Sequence, residues 1–69
     1  MSIPQYSVVR LITDRFRSDG LATGDIGSVI EVTLAPIYLV EFSDDIGNTR
    51  AIIDAEENDL EIIDARETT

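Results

Sequence analysis

The apolar residues of this chain come in runs too short for a buried helix, and each run ends at a turn residue. A helix needs roughly 10–12 periodic positions, whereas short runs rich in Val, Ile, Tyr and Phe, set between Gly, Pro, Asp and Asn, mark strands. Five strands are expected: Tyr6–Ile12, Ser28–Leu34, Ile37–Ser43, Thr49–Ile53 and Glu61–Asp64. In the third, Tyr38, Val40 and Phe42 share one face and Ile37, Leu39 and Glu41 the other, so the aromatic face is assigned to the core.

The connections carry their own signals. Thr13 to Gly24 reads as a long polar loop, and Ala35-Pro36 stops the second strand because proline lacks a ladder N–H. Asp44 to Asn48 reads as a hairpin loop with Gly47 at positive φ. Asp54 and Glu57 have capping-box spacing, which places one short helical or 3₁₀ turn through Asp59. A strand, a long loop, three hairpin-linked strands, one helical turn and a last strand make the plan of a small five-stranded SH3-like barrel, an all-β fold. Residues 1–64 are expected to form this single domain, and Ala65 to Thr69 a frayed tail.

A chain of 69 residues buries only about 60% of the surface it exposes when unfolded, so the core is small. Several strands are apolar on both faces: Val8-Val9, Val29-Ile30, Ile52-Ile53 and Ile62-Ile63. One barrel has one inside, so some of these side chains point outward. They either suit strands by shape alone or form a patch for a partner or a second copy.

Residue types then limit the chemistry. Cysteine, histidine and lysine are absent, which removes disulfides, the usual zinc ligands and the usual bases that activate a nucleophile. Paired carboxylates abound, but a chain this short rarely builds the cleft that would dehydrate one of them. The expectation is a protein that is not an enzyme and uses no cofactor. Asp44, Asp45 and Asn48 superficially suggest a calcium loop, yet Gly47 comes too early for the EF-hand order and a hairpin turn accounts for every residue. Gly24-Asp25-Ile26-Gly27 leads into a strand rather than a helix, and Asp25 would repel phosphate, so its glycines serve a turn or close packing.

Fourteen acidic residues face five arginines, for a net charge of −9. Nucleic acid and anionic membranes are disfavoured on that charge. No secretory leader or membrane-length apolar run is read, and the cytoplasm is the expected location. The acids cluster at Asp44 and Asp45 in the hairpin and at Glu56, Glu57, Asp59 and Glu61 around the helical turn. They either solvate the rim and cap the turn, or dock a basic partner protein.

Tyr38-Leu39-Val40-Glu41-Phe42, preceded by Thr23-Gly24-Asp25-Ile26-Gly27-Ser28-Val29-Ile30-Glu31-Val32 and followed by Asn58-Asp59-Leu60, resembles a set of short bacterial and cyanobacterial domains of unknown function. The resemblance runs from about Tyr6 to Ile63. It implies an SH3-like barrel and hands over no catalytic residue. It also implies an antitoxin- or immunity-like partner protein encoded nearby, which this chain would occlude. The alternatives are a structural subunit or homo-oligomer built through exposed Ile and Val strands, and a divergent RNA-binding barrel.

Overall fold

The computed structural model describes residues 3–34 and 36–66. It contains β1 (Val8–Leu11), a first 3₁₀ turn (Arg17–Asp19), β2 (Ile26–Val32), β3 (Tyr38–Ser43), β4 (Thr49–Ala55), a second 3₁₀ turn (Glu57–Asp59) and β5 (Leu60–Asp64). All pairings are antiparallel and the spatial order is β4-β3-β2-β1-β5. A meander whose last strand returns to the outside of β1 is the SH3-like barrel expected from the element order.

The sheet curls because three strands each carry one residue more than their neighbours. The register steps past Ile30 in β2, past Arg50 in β4 and past Ile63 in β5. Each extra residue adds local twist and moves the residues beyond it to the other face. Without the step at Ile30, Glu31 would share the inner face with Val29. With it, Glu31 stands opposite Leu39 and is exposed.

Tyr38, Val40 and Phe42 are fully buried, as their alternation predicts, and meet Val9, Leu11, Val29, Ile53 and Leu60. Of the doubled apolar pairs, Val9, Val29 and Ile53 point inward and Ile52 outward. Ile62 and Ile63 are both exposed, Ile63 being the extra residue of its strand. The long loop gives the core more than its polarity suggests, since Phe16 and Leu21 are buried. Ile3 closes one end, and its N–H donates to the Tyr38 hydroxyl at 3.0 Å.

Several element boundaries move, each for a local reason. β1 starts at Val8 because Tyr6 adopts φ 71°, outside the extended region. β2 starts at Ile26 because Gly27 lies flat against Phe42: a Cβ there would sit 2.8 Å from the Glu41 carbonyl and 2.9 Å from the Phe42 ring. It ends at Val32, where Thr33 N–H donates to Ile37 O and Thr33 Oγ1 accepts from Ile37 N–H. The expected cap at Asp54 is displaced. β4 continues to Ala55, pairing Asp54 with Leu39, so Asp54 is extended and the turn starts two residues later. Of the expected tail, Arg66 N–H donates to Ser7 Oγ at 3.2 Å; residues 67–69, like Ala35 of the Ala35-Pro36 break, lie outside the described residues.

A candidate acidic docking site

The second 3₁₀ turn is built around Asp59. Its N–H donates to Glu56 O at 3.0 Å, and its carboxylate accepts from Glu56 N–H at 2.9 Å, so one residue closes the turn from both sides. The Asp59 carbonyl accepts from Ile12 N–H at 2.9 Å, tying the turn to the end of β1. Arg15, from the long loop, donates through Nε to Asp59 Oδ1 at 3.2 Å and through Nη2 to Oδ2. The Arg15 guanidinium also lies 4.5 Å from the centre of the Phe16 ring, whose side chain is buried. The Arg15 hydrogen bond, with help from Glu56 N–H, holds the Asp59 carboxyl below the usual carboxylate range against the opposing effect of burial.

This fixed turn forms one wall of an open cleft of about 360 Å³, lined by Pro36, Ile37, Glu56, Glu57 and Asn58. Pro36 and Ile37 come from the connection between β2 and β3, and the apolar side chain of Leu34 in the same connection is fully exposed. The cleft therefore sets the apolar residues Pro36 and Ile37 beside the acidic residues Glu56 and Glu57. Glu56 lies 3.9 Å from Arg15, whereas Glu57 has no ion-pair partner among the described residues.

The six acids singled out in the sequence separate into different roles. Glu56 and Glu57 line the cleft. Asp59 is buried behind them and holds the turn, so its carboxylate is turned to Arg15 rather than to solvent. Glu61 pairs with Arg10 at 2.7 Å across β5 and β1. Asp44 builds the hairpin, accepting from Ile46 N–H at 3.0 Å and Asn48 N–H at 2.8 Å, with Gly47 at φ 91° as expected. Asp45 is exposed beside it. The hairpin joins the Ser43 end of β3 and the cleft adjoins its Tyr38 end, so the two acidic groups lie at opposite ends of β3, about 17 Å apart at strand rise.

Sequence reasoning passed over Ile37, Asn58 and Arg15 as parts of a site. Pro36 was legible as a strand breaker, but nothing in the local sequence says that its loop faces the second turn. The turn region Gly24-Asp25-Ile26-Gly27 is structural, as expected: Gly24 has φ 100°, Asp25 Oδ2 accepts from Ala22 N–H at 2.9 Å, and Gly27 permits close packing.

The distribution of cations sharpens the electrostatics. Arg10, Arg15, Arg50 and Arg66 each lie within ion-pair distance of a carboxylate, and Arg17 does not among the described residues. Most of the arginines are thus paired with acids of the same chain, and an acid surplus remains on the surface. Among the described residues no group of three or more Asp, Glu, His or Cys is arranged to hold a metal ion, and no helix is long and apolar enough to cross a membrane.

No curated protein and no solved structure matches the chain. A family model does match, over residues 5–62, spanning all five strands to within two residues of the end of β5. The chain belongs to the family described as Domain of unknown function (DUF4926).

Proposed function

We propose that this domain is a non-catalytic protein-binding module that receives a basic segment of a partner protein in the cleft between the β2–β3 connection and the second 3₁₀ turn. The observation that carries this reading is the pairing of Glu56 and Glu57 with apolar Pro36 and Ile37 in one cleft. A lysine or arginine suits that combination, laying its aliphatic stem on the apolar wall and its charged head against the carboxylates. Leu34, in the same β2–β3 connection, is exposed as well. The surplus negative charge would speed encounter and set orientation more than it adds affinity.

In its concrete form the module is an antitoxin- or immunity-type protein that covers the working surface of a basic cognate partner. This reading uses no cofactor, membrane or nucleic acid, and a reducing cytoplasm suits a chain without cysteine. The test is capture of the partner from lysate of the source organism at low and high salt. The captured protein is then offered to a Glu56→Gln/Glu57→Gln variant. Retention of one basic protein that salt and the double variant both abolish is the expected outcome. Undiminished retention by the variant, or retention of RNA in place of protein, overturns the reading.

A further inference from the structure

β4 is an edge strand: β3 pairs with one side of it and, among the described residues, no strand occupies the other. An unpaired edge is a template for another strand unless it is blunted. Its sequence, Thr49-Arg50-Ala51-Ile52-Ile53-Asp54-Ala55, reads as self-complementary when turned antiparallel on itself about Ile52. Arg50 then stands opposite Asp54 of the other copy, twice, Ala51 opposite Ile53, and Ile52 opposite Ile52. Arg50, Ile52 and Asp54 are exposed, with Ile52 at 50%, while Ile53 and Ala55 are buried. The two apolar and four charged side chains therefore meet on the outer face and leave the core untouched.

We infer that a second copy of this chain pairs with β4 through that register, joining two five-stranded sheets about a two-fold axis at Ile52. The pairing is isologous, as a closed dimer requires. The charges available fit it. Asp54 has no ion-pair partner among the described residues. Arg50 uses Nη2, which donates to Gly20 O at 2.8 Å and lies 3.7 Å from Asp25, and leaves Nε and Nη1 free of hydrogen-bond partners among the described residues. The other edge, β5, fits a second copy poorly: its charged residues are Glu61 and Asp64, with no cation on the strand. Arg50 is the extra residue of β4, so the stretch that is regular in both copies is Ala51 to Ile53, and the two Arg50–Asp54 pairs close its ends.

Net charge opposes association, so the dimer is sought at about 0.15 M salt, where screening acts beyond roughly 8 Å. Sedimentation equilibrium over rising concentration is expected to show the 7.6 kDa chain passing to twice that mass. Ile52→Lys, at an exposed position, should leave a folded monomer by circular dichroism. Arg50→Glu alone and Asp54→Arg alone should each be monomeric, because each opposes like charges across the axis. An equimolar mixture of the two should dimerise, because it restores both opposite pairs. If Arg50→Glu fails to fold, Ile52→Lys and Asp54→Arg still decide the matter. A wild-type chain that stays monomeric throughout, a dimer indifferent to Ile52→Lys, or folded variants that do not dimerise when mixed would overturn the inference. None of Arg50, Ile52 and Asp54 lines the cleft of Glu56 and Glu57, so failure here leaves the proposed function standing.

Discussion

Asp59→Asn keeps the shape of the side chain and removes its charge, which isolates what the ion pair with Arg15 contributes. The asparagine oxygen still accepts from Glu56 N–H, so the turn keeps its closure. A hydrogen bond to a charged group is worth about 1.5–3 kcal/mol when protected, and an exposed ion pair about 0.2–1 kcal/mol. The Asp59 side chain is 10% exposed and that of Arg15 48%, so the pair falls between these limits and the loss should be about 1.5 kcal/mol. For a domain of this size that lowers the melting temperature by roughly 6–12 °C. Asp59→Ala also removes the cap and should cost about 1 kcal/mol more.

The pH dependence probes the same carboxylate independently. The folded pKa of Asp59 is held down, chiefly by the Arg15 hydrogen bond. The stabilisation is therefore complete above the unfolded value of about 3.9 and is lost as pH falls through the folded value. Urea denaturation at a series of pH values should show a constant gap between wild type and Asp59→Asn above about pH 5 that closes in acid. A double-mutant cycle with Arg15→Gln should return a favourable coupling between the two side chains. No gap at neutral pH, or a gap that persists unchanged through strong acid, would refute the role given to this carboxylate.

Two further substitutions probe the packing. Gly27→Ala forces a methyl group against the Glu41 carbonyl and the Phe42 ring, and should cost about 2–3 kcal/mol of stability, read as a lower urea midpoint. Tyr38→Phe keeps the buried ring and removes the acceptor for Ile3 N–H; a loss of about 1 kcal/mol with faster hydrogen exchange at the Ile3 amide is the expected signature.

The five strands and the core face of β3 were legible because alternation at Tyr38, Val40 and Phe42 is a local signal. The turn at Gly47 was legible for the same reason. What stayed hidden depends on contacts distant in sequence. The cap moved from Asp54 to Glu56, closed by the Asp59 carboxylate, because β3 holds Asp54 and Ala55 in the ladder, and spacing alone cannot weigh a cap against a strand partner. Phe16 and Leu21 sit among polar residues, so nothing local marks them as core. The candidate acidic site was legible in composition and blurred in position. Asp44, Asp59 and Glu61 turned out to serve the hairpin, the turn and the β1–β5 pair, leaving Glu56 and Glu57 with an apolar wall contributed from residues 36 and 37.

Titration of the ¹⁵N-labelled domain with a peptide of alternating arginine and glycine, followed residue by residue in NMR spectra, tests the cleft most directly. Attraction to any acidic surface would move amide signals wherever carboxylates are exposed. The account predicts that the largest changes fall on Ile37, Glu56, Glu57 and Asn58, and that Glu56→Gln/Glu57→Gln removes them while the fold is kept. Changes of equal size around Asp45 and the hairpin, or changes that persist in the double variant, would contradict it.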